Sequence, residues 1–218
     1  MRQNRYAGGG ARRPFVRPQD DPPGTSRLFV AVPVEDDVRA GVARLMEQLA
    51  GAPIDVRAPG QPRWVGIHGL HLTLRFLGAT PDARLAELSE AVAAASRGVA
   101  PFRVELNGGG AFPSPERPRV LWIGIGEGEA SLVRLAGRLN DELQRLGWPR
   151  DDRPLQAHLT LARTDGVQGA DEKARLLIEL ARDVRLSWQA DRVVLYKSIV
   201  GHGPTHYEAL ATAELTEP

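Results

Sequence analysis

Cysteine is absent from this chain of 218 residues. Its absence excludes disulfide bonds, thiolate metal sites and a cysteine nucleophile, and it fits a reducing compartment. Long apolar runs are absent too: no segment approaches the roughly 20 apolar residues that a membrane-spanning helix needs, and the N-terminus carries no apolar secretion signal. We therefore expect a soluble, cytoplasmic protein that has no membrane partner.

An excess of one charge is also missing. The chain has 28 lysines and arginines against 27 aspartates and glutamates, so no global field draws it to nucleic acid. Any anionic ligand must therefore be held by local groups.

The first 25 residues have little to bury. They contain a triple glycine at 8–10, four prolines and five arginines. A segment of this composition cannot offset the entropy of ordering itself. We predict a disordered basic arm over residues 1–25 and a single folded domain over residues 26–218, with contact between the arm's arginines and RNA phosphates as the sharper alternative.

One four-residue pattern occurs twice in the remainder. His71-Leu72-Thr73-Leu74 returns as His158-Leu159-Thr160-Leu161 in a chain that has only five histidines. Each copy alternates polar and aliphatic residues, which is the period of a strand with one face in a core. The pattern predicts that each histidine shares a face with its threonine, and that the site is duplicated.

The elements around the two copies follow one order. An apolar strand, an amphipathic helix, the motif strand, a helix and a further strand are predicted in each half, starting near residues 27 and 120. Three strands follow the last helix, at 184–188, 192–199 and 206–215. This order predicts an α+β fold of two pseudo-symmetric lobes, each a mainly antiparallel sheet with helices on its outer face, around a central groove.

Two local predictions depend on glycine and proline. Thr80-Pro81 indicates a helix start, with threonine as the cap and proline in the first turn. The triplet 108–110 predicts a flexible loop after a short strand at 102–106, because the lysine and the helix of a phosphate-binding loop are both missing.

Two histidines that face one groove suit a displacement that takes one proton and gives another. With an ordinary pKa near ~6.5, one imidazole can be neutral and the other charged around neutral pH. Threonine hydroxyls on the same faces can donate to the oxygens of a phosphate. We therefore infer phosphodiester chemistry without a metal or other cofactor, since no carboxylate or third histidine recurs beside either copy and no Gly-x-Ser-x-Gly elbow occurs.

These segments resemble the RNA 2′,3′-cyclic phosphodiesterases, the LigT-like or 2′-5′ RNA ligase family of the two-histidine phosphoesterase superfamily. The resemblance rests on residues 27–32, 70–78, 119–124, 157–163 and 195–198. It implies hydrolysis of a terminal 2′,3′-cyclic phosphate to a 2′-phosphomonoester without metal, with 2′-5′ ligation of RNA ends as the reverse reaction. It also implies that His71 and His158 are the acid and base and that Thr73 and Thr160 hold the phosphate.

The resemblance does not show which histidine is the acid and which is the base. We assign His71 provisionally to protonating the leaving oxygen and His158 to activating water. Arg163 matches the family's arginine after the second motif and is a candidate phosphate or base contact, with a surface ion pair as its alternative.

Three further residues are placed by strand position. Simple alternation puts Arg75 on the face of His71 and makes it another candidate contact, whereas Arg163 falls on the opposite face from His158. Phe76, the counterpart of Arg163, is interpreted as core. Trp64 is either a base-stacking platform or a core residue.

Two other functions stay open at this point: a phosphodiesterase for small cyclic nucleotides, and a nucleotide-binding module without turnover. The expected partner is RNA or a nucleotide that ends in a 2′,3′-cyclic phosphate, bound by a monomer. His68, His202 and His206 lie outside the motifs and are assigned no chemistry.

Overall fold

A computed structural model describes residues 21–51, 60–199 and 205–217. Within them, nine strands are ordered into one curved sheet: β1 Thr25–Pro33, β2 Arg63–Trp64, β3 His71–Pro81, β4 Phe102–Phe112, β5 Val120–Ile125, β6 His158–Arg163, β7 Ser187–Ala190, β8 Arg192–Ile199 and β9 His206–Glu214. Four α-helices accompany the sheet: α1 Asp36–Ala50, α2 Leu85–Ser96, α3 Glu129–Arg145 and α4 Ala170–Leu180.

The two motif strands lie at the centre of the sheet. The strand order is β7-β4-β5-β6-β3-β1-β8-β9, with β2 paired to β6 at the side, and neighbouring strands are antiparallel. The predicted α+β fold with antiparallel sheets is confirmed. Both histidine strands are therefore held by neighbours on each side, which gives them the rigidity that a catalytic group requires.

The lobes are not the two halves of the sequence. One lobe comprises β3, β1, β8 and β9, and the other comprises β6, β5, β4 and β7. Strand β4 follows the first motif in the chain but pairs with β5 and β7 of the second lobe. Strands β8 and β9 follow the second motif and complete the first lobe, so the halves exchange strands across the molecule.

The helices cover this sheet with leucine-rich faces. Helix α2 contacts β8 and β9, α3 contacts β3, and α4 contacts β4. Helix α3 buries Leu132, Leu135, Leu139 and Leu143 at helical spacing. The core they share reaches from β1 to β9, and it includes Leu72 and Leu159, the residues that follow the two histidines.

The structure overturns two local predictions. Thr80 does not cap a helix: β3 continues to Pro81, a 3-10 turn spans Asp82–Arg84, and α2 begins at Leu85. The triple glycine is part of β4 and not a loop. Close packing explains it, because a Cβ on Gly110 would lie 2.3 Å from the ring of Trp122, and one on Gly109 would lie 2.9 Å from the Leu177 carbonyl oxygen.

The remaining predicted elements are found with small shifts at their ends. The strand expected at 184–188 lies at Ser187–Ala190, and β8 spans the predicted residues 192–199. Residues 1–20 of the predicted arm over 1–25, and the turn that contains His202, lie outside the described residues, whereas residues 21–25 are described and β1 begins at Thr25. None of the helices in the described part of the chain is both long and apolar enough to cross a membrane.

Candidate active site

The two copies of the motif face each other across a twofold relation. Strands β3 and β6 are antiparallel, and the leucines that follow the two histidines are opposite each other in register. That register places His71 across from Thr160 and Thr73 across from His158. Each histidine is thus next to the threonine of the other copy.

Both imidazoles are oriented by a main-chain carbonyl two residues earlier. Nδ1 of His71 donates a hydrogen bond to the Gly69 carbonyl oxygen at 2.7 Å, and Nδ1 of His158 donates one to the Gln156 carbonyl oxygen at 2.7 Å. A proton fixed on Nδ1 leaves Nε2 as the nitrogen that accepts or gives a proton. The same tautomer is selected in both copies.

An aromatic ring is packed edge-on against each imidazole. Tyr207 of β9 meets His71 with the ring centroids 5.0 Å apart and an interplanar angle of 86°. Phe112 of β4 meets His158 at 5.0 Å and 84°. Both rings belong to strands that are exchanged between the lobes. Each imidazole is therefore packed against a strand from the other half of the sequence.

The histidines differ in burial. Burial lowers the pKa of His71 to about 4, the hydrogen bond to Gly69 raises it, and the positive charge of His158 lowers it further. Burial also lowers the pKa of His158, and its bond to Gln156 opposes that shift. The effect of His158 on the pKa of His71 indicates that the two rings are close enough to interact electrostatically.

The two threonines are half-buried on the faces of the histidines. Within the part of the chain that the structure describes, neither hydroxyl of Thr73 or Thr160 hydrogen-bonds to another protein group. Both hydroxyls are available to donate to a bound oxyanion.

A β-bulge interrupts each motif strand at the same position. In β3 the register skips Leu74 opposite β1, and in β6 it skips Leu161 opposite β5. One extra residue in a strand turns the side chains of the residues that follow it to the opposite face of the sheet. Residues six places into each motif, Phe76 and Arg163, therefore join the face of the histidines.

The bulges correct three predictions from simple alternation. Phe76 is not core, since 68% of it is exposed. Arg163 is exposed on the face of His158 and not on the opposite one. Arg75 turns away from the groove: its side chain is 9% exposed, donates to the Pro149 carbonyl and pairs with Asp151 at 3.0 Å.

Of the two alternatives for Trp64, the structure supports the core residue. Trp64 is 6% exposed and belongs to the hydrophobic core, where β2 pairs with β6. A ring this deeply buried offers no face to a nucleobase.

Arg163 and Phe76 occupy opposite ends of the groove, since β3 and β6 are antiparallel. Arg163 extends toward the end where His71 and Tyr207 meet. Burial raises the pKa of Tyr207, and the positive charge of Arg163 lowers it, which places this cation within electrostatic reach of the tyrosine. Phe76 extends toward the end of His158.

A cavity of about 290 Å³ opens beside His71 at the Arg163 end of the groove. Its main side chains come from the 3-10 turn before β3 and from β8 and β9: His68, His71, Tyr196, His206 and Tyr207. The sequence did not identify the two tyrosines or the two additional histidines as site residues. For Tyr196, His206 and Tyr207 the signal is position within β8 and β9, which does not show which strand lies beside the motif, and His68 is in the 3-10 turn before β3.

No group of three or more histidine, aspartate or glutamate side chains suited to a metal occurs in residues 21–51, 60–199 and 205–217. Among the described residues, the groups that meet in the groove include imidazoles, hydroxyls, the guanidinium of Arg163 and aromatic rings.

Comparison with known proteins adds the family. A profile of the 2′-5′ RNA ligase superfamily matches residues 54–201. The chain belongs to the 2′-5′ RNA ligase superfamily. Among curated relatives, an RNA 2′,3′-cyclic phosphodiesterase of Archaeoglobus fulgidus is 40% identical over 63% of this chain and 72% of its own length. One of Aeropyrum pernix is 32% identical over 78% of this chain and 92% of its own length.

Solved structures are similar to this chain in fold. The protein TT0787 of Thermus thermophilus superposes with a TM-score of 0.67 at 27% identity, covering 87% of this chain and 97% of that one. E. coli LigT complexed with 3′-AMP gives 0.65 at 26% identity, covering 88% and 99%.

Proposed function

We propose that this protein is an RNA 2′,3′-cyclic phosphodiesterase that converts a terminal 2′,3′-cyclic phosphate into a 2′-phosphomonoester. The observation that carries the proposal is the pairing of two His-x-Thr copies on adjacent antiparallel strands, each histidine with the same carbonyl-fixed tautomer. The names of its superfamily relatives support the same substrate.

The reaction divides between the two imidazoles. A water molecule forms a bond to phosphorus as one Nε2 takes its proton, and the bond from phosphorus to the 3′ oxygen breaks as the other Nε2 gives that oxygen a proton. Thr73 and Thr160 donate to the non-bridging oxygens, where negative charge increases in the transition state. Arg163 adds a positive charge at one end of the groove.

Ligation uses the same groups. If a 5′ hydroxyl replaces water, its oxygen forms a bond to phosphorus, the bond from phosphorus to the 3′ oxygen breaks, a 2′-5′ link forms and two protons move as in hydrolysis. Ligation is therefore part of the proposal as the same displacement with a different nucleophile, and its own reversal is cleavage of a 2′-5′ link by the 3′ hydroxyl.

The protonation state that His71 must have before the reaction depends on whether it acts as the acid or as the base. Its pKa of about 4 keeps the ring neutral at neutral pH when no ligand is bound. If His71 protonates the leaving oxygen, as we assign it, the anionic substrate must raise that pKa and a proton must be taken up on binding. If His71 is the base, no uptake is needed.

The order can be tested with a substrate whose 3′ oxygen is replaced by sulfur, because a thiolate leaves without being protonated. We expect this substrate to restore much of the activity of His71→Ala and little of that of His158→Ala. Rescue of His158→Ala alone would reverse the order.

The function itself is tested with purified protein, EDTA and an RNA that ends in a 2′,3′-cyclic phosphate. We expect turnover that EDTA leaves unchanged and a product that matches the 2′-phosphate standard rather than the 3′-phosphate. The matched control is the double variant His71→Ala, His158→Ala. A 3′-phosphate product, or activity that needs an added divalent ion, would contradict the mechanism, and tight binding without turnover would indicate a nucleotide-binding module.

Substrate size is part of the same assay. Equal kcat/KM for RNA and for a small nucleoside 2′,3′-cyclic phosphate would indicate that the physiological substrate is a small nucleotide. A monomeric state and a cytoplasmic location also belong to this proposal, and gel filtration and cell fractionation test them.

A further inference from the structure

The carbonyls that orient the two histidines are held in different ways. On the side of His71, the accepting carbonyl belongs to Gly69, the last residue of the 3-10 turn Ile67–Gly69. The same peptide unit carries the N–H of Leu70, which donates to the Ile67 carbonyl at 3.3 Å. A hydrogen bond of the turn therefore fixes the peptide unit that orients His71.

The carbonyl that orients His158 has no such turn. It belongs to Gln156, which lies in the irregular connection between α3 and β6. Within the described chain, none of the loop hydrogen bonds between backbone groups involves residues 149–157. The ladder between β3 and β6 is formed at Leu72 and Leu159, and β6 begins at His158. Side chains must therefore hold this connection in place.

Arg75 provides the buried part of that support. Its side chain, on the face of β3 that is turned away from the groove, donates to the Pro149 carbonyl and pairs with Asp151 at 3.0 Å. Asp151 also accepts from both Nε and Nη2 of Arg153 at 3.0 Å. Two positions of the connection are thus joined to a central strand by one guanidinium in a fixed geometry.

The position of Arg75 along β3 also suits this role. The register that places Leu72 opposite Leu159 puts Arg75 level with Gln156. The connection is therefore anchored at the level of the carbonyl that orients His158.

Two other links hold the connection less directly. Arg84 donates to the Leu146 carbonyl at 2.7 Å and lies 3.6 Å from the centre of the Trp148 ring, so it holds the start of the connection at the end of α3. Arg150 pairs with Asp141 of α3, but both side chains are about half exposed, and exposed pairs contribute little. Among these links, the contacts of Arg75 are the buried ones nearest to Gln156.

We propose that Arg75 and Asp151 position the imidazole of His158. By fixing the connection before β6, they hold the Gln156 carbonyl where Nδ1 of His158 donates to it. Arg75 is on the first motif strand, so one copy of the motif supports the histidine of the other. The effect on the tautomer of His158 follows from the structure alone, and the effect on turnover rests on the proposed function.

Two arginine variants test this role. Arg75→Met removes both contacts and leaves an apolar side chain of similar length, while Asp151 keeps its pairing with Arg153, so no buried charge is left without a partner. Arg84→Met is the matched control, because it also removes an arginine from a carbonyl of the same connection and leaves Arg75 and Asp151 in place.

The first readout is the nitrogen NMR signals of the imidazoles at about pH 8, where both rings are neutral. In the wild type we expect the proton on Nδ1 in His71 and in His158. In Arg75→Met the signals of His158 should move toward those of a mixture of tautomers, and the signals of His71 should stay where they are. Arg84→Met should leave both histidines as in the wild type.

The second readout is steady-state turnover of a cyclic nucleotide. A displaced imidazole acts poorly as an acid or base, so Arg75→Met should lower kcat by about ten- to a hundredfold and leave KM nearly unchanged. Arg84→Met should keep a kcat close to that of the wild type. Asp151→Ala, which removes one of the two contacts, replaces Arg75→Met if that variant does not fold, with the same direction of effect expected in both readouts.

Three results would overturn the proposal. They are a wild-type His158 with its proton on Nε2, unchanged His158 signals in Arg75→Met, and equal changes in both histidines or in Arg84→Met, which would show a general loosening of the fold. If the wild type hydrolyses no cyclic nucleotide, the proposed function fails instead, and the NMR comparison still decides whether Arg75 positions His158.

Discussion

The two sides of the groove share a backbone and differ in their side chains. Each has a histidine held by a carbonyl two residues earlier, an aromatic ring edge-on at 5.0 Å and a β-bulge after the threonine. The ring is a tyrosine beside His71 and a phenylalanine beside His158, and the residue after the bulge is Phe76 on one strand and Arg163 on the other.

This difference shows which properties the duplication fixes. Main-chain geometry sets the tautomer and direction of both imidazoles, and it is the same in both copies. Burial, charge and ring chemistry then make the sides unequal. The more deeply buried His71 adjoins an aromatic cavity, and the positive charge of Arg163 acts on Tyr207 at that end. A symmetric frame thus supports a reaction whose two proton transfers are different.

The largest effect should follow from removing either imidazole. We expect His71→Ala and His158→Ala each to lower kcat by about 10²–10⁴-fold, the usual cost of losing an acid or a base, with smaller changes in KM. Since both protons move in one displacement, the double variant should be little worse than the worse single variant. The measurement is steady-state turnover of a cyclic nucleotide, with circular dichroism as the control for folding. Near-normal turnover in either folded single variant would show that the two histidines are not the acid and base of one displacement.

The unequal burial of the histidines can be measured as stability against pH. The pKa of His71 is about 4 in the folded protein against an ordinary value of 6.5. The unfolded chain therefore takes up the proton first, so this contribution is complete above about pH 6.5 and is lost as pH falls toward 4. The lowered pKa corresponds to about 3 kcal/mol in the free energy of unfolding at the acid limit.

Urea unfolding at several pH values, in wild type and in His71→Gln, isolates that contribution from other titrating groups. We expect the wild type to lose more stability than His71→Gln between pH 6.5 and 4.5, and His158→Gln to fall between them. Parallel curves for wild type and His71→Gln would show that burial does not lower the pKa of His71 in the folded protein.

The threonines should matter less than their histidine neighbours, and about equally on the two sides. Each hydroxyl gives one hydrogen bond to a charged oxygen, worth about 1.5–3 kcal/mol, so Thr73→Ala and Thr160→Ala should each lower kcat/KM by about ten- to a hundredfold. Thr73→Ser and Thr160→Ser, which keep the hydroxyl, are the matched controls. A serine variant as impaired as the alanine variant would assign the threonine to packing rather than to the phosphate.

The bulges predict opposite behaviour for two arginines near the motifs. Arg75 is buried and holds the Pro149 carbonyl and Asp151, so Arg75→Ala should lower the free energy of unfolding by about 1–3 kcal/mol. Arg163 is exposed on the groove face, so Arg163→Ala should raise KM by about tenfold through the loss of one charged contact and leave stability unchanged. The same unfolding and kinetic measurements on both variants separate them. A stability loss in Arg163→Ala without a change in KM would show that the Arg163 side chain has a structural role and does not contact the substrate.

The sequence predicted the motif strands, the histidine pair and the α+β class, because period-two alternation and its duplication are visible in the chain itself. It did not predict the bulges at Leu74 and Leu161, since an extra aliphatic residue leaves the apolar pattern intact and yet reverses the face of every later residue. Nor could it show that Tyr207 meets His71, because that contact depends on the exchange of strands between lobes.

The smallest effect should come from the N-terminal arm. Asp21 pairs with Arg27 at 2.7 Å, and Thr25 donates to the Pro22 carbonyl, so residues 21–25 make contacts within the described part of the chain. Residues 1–20 have a composition with little to bury, so their deletion should leave the free energy of unfolding, and kcat/KM for a small cyclic nucleotide, within error of wild type. Deletion of residues 1–24 is the comparison, since it also removes both contacts and should cost some stability.

The arm is rich in arginine, and phosphate contacts are screened by salt. If the arm binds RNA, the 1–20 deletion should raise KM for a long RNA at low salt and leave it unchanged at high salt. Loss of small-nucleotide turnover in the 1–20 deletion would show that both sides of the groove depend on the arm.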